Sequence, residues 1–237
     1  MGNVNAAVAA TNISRSFKVK RLAMIGIAGG CPDHAHLETH VRLGDVVIAS
    51  KTIEWDHQKR TQNGEVECRD TPHQIGHDWM QAVRLLQNEA HTFARAWQAP
   101  YRRGLRRQQI QAPAVAGDIL RDHDGAVVGH PPDPRRKTVP HLVHLGVIGA
   151  GDTLLKDPKL RDQLRDEHKI RAVEMESSGI QAAEWAHNGS FVAVRGIVDY
   201  CDGHKSDDWH RSAATAAAAV TYLMFKTLLI AEGGGTA

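Results

Sequence analysis

The sequence predicts an α/β protein, a three-layer α/β/α arrangement around a central, mostly parallel but mixed sheet. Three observations predict it. Short apolar runs rich in β-branched residues alternate with longer segments of helical spacing. Several of these runs end in glycines or carboxylates, as in Met24-Ile25-Gly26-Ile27-Ala28-Gly29-Gly30 and Ile197-Val198-Asp199, which is how a buried strand delivers a polar site at its C-terminal end. The length of 237 residues suffices for one substantial core. The whole span 1–237 is read as one domain, with a loop-rich insertion at 98–140 and a flexible tail at 233–237.

In chain order, Ala6 to Phe17 has helical spacing with Ala7, Val8 and Ile13 toward the core. Leu22 to Ile27 is a short apolar strand closed by glycines, and Asp45 to Ile53 a second strand. Asp78 to Trp97 repeats apolar residues at Met80, Val83, Leu86 and Ala90, the spacing of a helix. Residues 98–140 break the pattern with Ala99-Pro100, Asp122-His123-Asp124-Gly125 and His130-Pro131-Pro132-Asp133-Pro134, so loops around one or two short elements are expected. Alternation then returns: strand 141–148, helix 158–168, strand 170–175, helix 176–187, strand 191–198 and a long helix 208–230.

Composition narrows the classes of function. The formal charge is +2, with 29 basic and 27 acidic residues interspersed, which argues against a nucleic-acid binder. The local exception, Tyr101-Arg102-Arg103-Gly104-Leu105-Arg106-Arg107, reads as a solvated loop or helix face, with a phosphate or partner contact as the lesser alternative. Cys31, Cys68 and Cys201 are odd in number and contain no CxxC, the usage of a reducing compartment, and no signal peptide is visible; a cytoplasmic protein is expected. The apolar stretch 213–231 carries Lys226 and reads as a buried helix rather than a membrane span. Asp33-His34-Ala35-His36 with His40 offers close metal ligands, but neither HExxH nor CxxC supports them, and no metal or other cofactor is expected. Asp56-His57-Gln58-Lys59-Arg60 is either an exposed polar turn or a contact for a substrate phosphate.

The chemistry concentrates in two strings, Ala172-Val173-Glu174-Met175-Glu176-Ser177-Ser178 and Val194-Arg195-Gly196-Ile197-Val198-Asp199-Tyr200. Each places acidic groups after an apolar run. Two strands joined by a helix form a βαβ unit, which puts both carboxylates on one edge of a parallel sheet. One carboxylate can then grip a sugar while the other handles a proton, as cleavage of an N-glycosidic bond requires. Asp199 fits the proton donor and Glu176 the sugar clamp. Glu176 also suits the start of a helix, where a carboxylate meets the dipole. Glu174 is expected to point elsewhere, as a solvated or subunit-facing group. Arg195 shares a strand face with Asp199 but stands about 13 Å away along it, so an ion-pair role and a substrate contact stay open.

These strings, with Gly2-Asn3-Val4-Asn5-Ala6-Ala7, the glycine-rich end at Met24–Gly30, Arg42-Leu43-Gly44-Asp45-Val46-Val47 and Gly149-Ala150-Gly151-Asp152, occur in one order across residues 2 to 230. Together they resemble the purine nucleoside phosphorylase and uridine phosphorylase superfamily, most closely its methylthioadenosine/S-adenosylhomocysteine nucleosidase-like branch. The run Val194–Trp209 resembles the nucleosidase domains fused to nucleotide-switch or repeat modules in fungal and bacterial immune-type proteins. The resemblance implies that Asp199 protonates a purine at N7, that Glu176 binds the ribose diol with Met175 against the sugar, that Ala28 and Gly29 lie along the nucleoside, that Leu155 contacts the base through its backbone, and that Val173 and Arg195 complete the binding set. It implies a small-molecule purine ligand and a homo-oligomer.

Two departures bear on the reaction. Many relatives have serine where Val198 stands. Phosphate-using relatives place arginine and a hydroxyl residue where this chain has Met24 and Ile27, neither able to hold an anion, which favours hydrolysis over phosphorolysis. The resemblance also begins late: the family's opening strand and early hairpin have no counterpart before Gly2, and with them goes the glutamate that activates water. A purine nucleosidase is therefore the leading reading, a phosphorylase the second, and a nucleoside-sensing domain without catalysis the third.

Overall fold

The computed structural model describes residues 2–60, 62–63, 66–68, 72–88, 95–186, 189–204 and 207–233. Ala90 and the tail beyond 233 lie outside them. Six helices are described: α1 Asn3–Ser16, α2 His77–Asn88, α3 Gln98–Gln108, α4 Pro158–His168, α5 Ser177–Ala186 and α6 His210–Gly233. Ten strands accompany them: β1 Arg21–Gly30, β2 Val46–Glu54, β3 Gln58–Arg60, β4 Val66–Cys68, β5 His73–Gln74, β6 Leu120–Arg121, β7 Val127–Val128, β8 Val143–Ala150, β9 Ile170–Glu174 and β10 Ser190–Asp199.

The central sheet is mixed, as expected, with strand order β10-β1-β9-β8-β2-β5. Pairs β1–β10, β2–β8 and β8–β9 are parallel, whereas β1–β9, β2–β10 and β2–β5 are antiparallel. Because β10 also pairs with β2, five of the strands close into a ring. This corrects the simple βαβ picture: β9 and β10 are not neighbours, and β1 runs between them. Closure depends on pairings of Val194–Gly196 with Val46–Ile48, residues far apart in sequence.

The period of two along the strands explains the core. On β10, Val192 and Val194 face outward against α6 and α2, while Phe191, Ala193 and Ile197 face the inside of the ring. On β2, Val46 and Ile48 face out, and Val47 and Ala49 face in. A third cluster, with Ile53, Trp55, Leu155, Leu164, Ile170 and Val173, lies under α4. Gly44 at φ 81 turns the chain into β2. The fully buried Asp45 that follows accepts from the Arg42 and Leu142 amides, both Arg136 Nη atoms and His144. Burial alone would raise its pKa; the bonds from Arg136 and His144 outweigh that and hold it well below the ordinary value.

Three helical expectations change. On α1, Val8 and Ile13 are 55% and 42% exposed, whereas Asn3 and Ala10 are buried. This helix approaches α5 so closely that Gly179 lies against the Asn3 backbone, so small and polar residues occupy the contact. The expected helix 78–97 is described only to Asn88 as α2, and a further helix, α3, occupies the start of the stretch expected to be loops. Pro100 is compatible with it because it stands in the first turn, where no intrahelical amide bond is needed. Buried Tyr101 and Leu105 anchor α3 to α6. The segment Asp207–Gly233 is long and apolar enough to cross a bilayer by composition; its most apolar stretch has mean hydropathy 1.6 and is half buried in the protein. Its buried stripe includes Ala213, Ala217, Val220, Met224 and Leu228.

Candidate active site

Gly29 is the meeting point of the site. In register it pairs with Asp199 of β10 on one side and Val173 of β9 on the other. The ladder with β10 skips Val198 between the pairs Ala28–Ile197 and Gly29–Asp199. This bulge falls at the position where relatives carry serine, and bulges re-aim the side chains beside them. A side chain at Gly29 would collide with Cys201 Sγ and come within 2.9 Å of Asp199 Oδ1, so only glycine leaves the acid in place. Asp199 Oδ1 accepts the Cys201 amide at 3.0 Å. Cys201 itself takes the left-handed conformation, φ 54, a strained choice for a residue with Cβ.

Arg195 lies three residues N-terminal to that bulge. Its parity with Ala193 and Ile197 turns it into the ring, and Glu174 shares parity with inward-facing Ala172. There Arg195 Nη2 pairs with Glu174 Oε2 and with Glu176 Oε2 at 3.2 Å, and it touches Met24 Sδ at 3.2 Å. Gly26 is needed opposite, because a Cβ there would strike the guanidinium. Glu174 also accepts the Glu176 and Ser177 amides and the Ser177 hydroxyl. The expectation that Glu174 points away is thus overturned: it is 5% exposed and fastens both Arg195 and the start of α5. Of the two readings open for Arg195, the ion pair is present.

Glu176 is the partly buried partner of this cluster, its side chain 16% exposed. Burial pushes its pKa up, Arg195 pulls it down, and Glu174 adds a further upward push; the result lies above the ordinary value. Met175 beside it is half-buried. Leu155 and Val173 are buried together in one cluster that also holds Cys31 and Cys201. Ala28 is buried at 4%.

Around Asp199 a cleft is lined by Val198, Tyr200, Asp202, Trp209, Leu43 and the Gln111–Ala114 segment, among others. Tyr200 was not singled out in the sequence. Its hydroxyl donates to Asp118 Oδ1 at 2.5 Å and accepts the Leu43 amide at 3.1 Å, tying the residues before β6 to the end of β10. Burial, followed by the Asp118 charge, drives its phenol well above the ordinary pKa. Trp55, also missed, stands against Gly149 and Gly151, and its buried indole N–H has no acceptor among the described residues.

The other sequence candidates have structural occupations. Asp56 caps the Asp152 and Thr153 amides at 2.8 and 3.1 Å. Asp33 accepts from the Ala35 and His36 amides, the Thr39 hydroxyl and Arg171. His40 meets His130 at 2.9 Å. Among the described residues no cluster of three or more histidines, cysteines or carboxylates is arranged to hold a metal ion.

The chain is thus an α/β protein with a closed mixed sheet flanked by helices and a glycine-rich strand between two carboxylate-bearing strand ends. The phosphorylase superfamily profile matches residues 1–228, and the chain belongs to that superfamily. It is 26% identical over 227 residues to the ATP nucleosidase Cap17 of Escherichia coli, covering 93% of this chain and 38% of that protein. It is 28% identical over 250 residues to a nucleotide-binding leucine-rich repeat-like protein of Hyaloscypha variabilis, covering 94% of this chain and 23% of that one. The chain therefore spans well under half the length of these relatives. Among solved structures it resembles the 5'-methylthioadenosine/S-adenosylhomocysteine nucleosidase of Neisseria meningitidis in complex with methylthio-immucillin-A, with TM-score 0.60, 21% identity, and coverage of 95% of this chain and 78% of that one.

Proposed function

We propose that this chain carries the catalytic fold of a purine nucleosidase, which hydrolyses the N-glycosidic bond of an adenosine-like nucleoside or nucleotide. The observation that carries this reading is the double pairing of Gly29, which sets the Asp199 end of β10 and the Val173–Glu176 segment on either side of the same β1 glycine. The nucleoside lies along Ala28 and Gly29, with its base toward Asp199 and the Leu155 backbone. Glu176, ionised and held by Arg195, accepts both ribose hydroxyls, and Met175 packs against the sugar. Asp199 delivers its proton to N7 of the purine as the glycosidic bond breaks, so that the base leaves neutral. The sugar, oxocarbenium-like at that moment, is stabilised by the carboxylate of Glu176 and captured by water. Val173 completes the floor. The names of the bacterial relatives, an ATP nucleosidase and a methylthioadenosine/S-adenosylhomocysteine nucleosidase, support a purine substrate.

Hydrolysis is favoured over phosphorolysis because Met24 sits against Arg195 and Ile27 packs into the core, leaving neither as a phosphate ligand. The test is product identity. Purified protein is incubated with adenosine, methylthioadenosine and ATP, with and without phosphate, and products are separated by chromatography. Free adenine with a free or 5'-phosphorylated sugar, at a rate independent of phosphate, is expected. A strict phosphate requirement with sugar 1-phosphate as product overturns hydrolysis.

A further inference from the structure

The arginine-rich run Tyr101–Arg107 is not absorbed by the site above. Folded as α3, it turns Arg103 and Arg107 to one face, four residues apart, together with Pro100 and Gly104. That face meets a matching stripe of α6 formed by His210, Arg211, Ala214, Thr215, Ala218 and Tyr222. Between them runs a groove of ≈ 720 Å³, within the range of small-molecule sites. Its α6 wall spans about 18 Å at the rise of an α-helix.

The charges of this groove are uncompensated. Among the described residues Arg103 and Arg107 have no carboxylate partner, although Arg102 on the neighbouring face is engaged by Gln98 at 3.0 Å. Among the described residues Arg211 reaches only the Gln108 carbonyl, at 3.4 Å. His210 faces Asp207 at 3.4 Å. Three guanidinium groups thus line a cavity whose other walls carry Gln108, His210 and Thr215 beside small and apolar side chains, with the exposed Tyr222 ring at the other end of the α6 stripe. Like charges at i and i+4 weaken a helix, and the fold gains no ion pair in return.

We infer that this groove binds a nucleoside polyphosphate, its phosphates on Arg103, Arg107 and Arg211 and its base on Ala218 and Tyr222. Guanidinium forks match phosphate oxygens, and an aromatic beside small side chains offers a stacking surface. The groove shares no lining residue with the cleft around Asp199, although it reaches Gly26 and Ile27 of β1, and Gly26 lies against Arg195.

The experiment is equilibrium binding by calorimetry to Asp199→Asn protein, in which consumption of the probe is slowed about a hundredfold or more. The probes are ATP, inorganic tripolyphosphate and adenosine. Because ATP can also enter the nucleosidase site, each is measured against R103E/R107E in the same background; both positions are exposed, and circular dichroism checks the fold. Tripolyphosphate is expected to bind, to weaken with salt, and to lose about tenfold or more in R103E/R107E. ATP is expected to bind more tightly than tripolyphosphate, with Tyr222→Ala removing the difference, while adenosine binding is unchanged by R103E/R107E. Tripolyphosphate binding unaffected by R103E/R107E, or no binding at millimolar concentration, overturns the site. Equal affinity for ATP and tripolyphosphate overturns the role given to the apolar wall. Self-association lost in R103E/R107E assigns the groove to a second copy instead.

Discussion

Two carboxylate centres lie on either side of β1, and they are held in opposite ways. Glu174 and Glu176 are bound into a buried cluster with Arg195, Ser177 and two backbone amides. Asp199 borders an open cleft and accepts a backbone amide from the left-handed Cys201. The first centre is a rigid negative pole whose charge and direction are fixed before any ligand arrives. The second lies in the wall of that cleft, where a ligand can reach it. A reaction that must both anchor a developing cation and supply a proton needs this division, because one tightly paired carboxylate cannot do both.

The largest effect should come from Asp199. Asp199→Asn is expected to lower turnover about a hundred- to ten-thousand-fold with folding unchanged, since an amide keeps the shape and loses the proton. Initial rates on a cleaved substrate measure it, and near-normal turnover would remove Asp199 from the mechanism. On the other side, Arg195→Met should destabilise the protein by about 3–5 kcal/mol, because Glu174 would be left buried without its cation. Urea unfolding reads this directly, and an unchanged midpoint would mean that the cluster contributes no net stability.

Glu176→Gln sharpens the contrast further. Substrate affinity should fall by about 1.5–3 kcal/mol, the worth of hydrogen bonds to a charged group, with a smaller effect on turnover than Asp199→Asn. A pH test distinguishes it from a packing defect. The fold raises the Glu176 pKa above 4.5, so the protonated form favours the folded state. That contribution is full below the unfolded value and is lost as pH rises through the raised one. Ribose recognition needs the ionised form, so KM should fall across the same rise in pH, and both trends should vanish in Glu176→Gln. A KM independent of pH over this window would count against the diol role. The smallest effect is expected at the wall of the cleft: Tyr200→Phe should cost about 1 kcal/mol through the lost bonds to Asp118 and Leu43, again by urea midpoint, with no change if the hydroxyl is replaced by water.

What the sequence made legible follows from local physics. Strand ends such as Ala28-Gly29-Gly30 and Ile197-Val198-Asp199 were readable because β-branched runs and glycines mark them within a few residues. Motif order set Glu176 and Asp199 after the ends of two strands, but did not reveal that β1 runs between those strands. The ring was not, since its closing pair joins Val194–Gly196 to Val46–Ile48, a contact no local pattern encodes. The fate of Glu174 was hidden for the same reason: inside a closed sheet its parity means burial against Arg195, whereas on an open edge it would mean solvent. Helix α3 was obscured by Pro100, and the orientation of α1 by the tight approach of Gly179 to Asn3, which favours small contacts over the apolar stripe.

The double pairing of Gly29 also has a consequence for how the molecule breathes. Its amide group cannot open without loosening both the β1–β10 and the β1–β9 ladders, so the ends of three strands belong to one cooperative opening unit. Amide hydrogens at Gly29, Val173 and Asp199 should then exchange at a shared rate. A ligand resting on that single glycine would slow exchange on all three strands together, including segments it never touches.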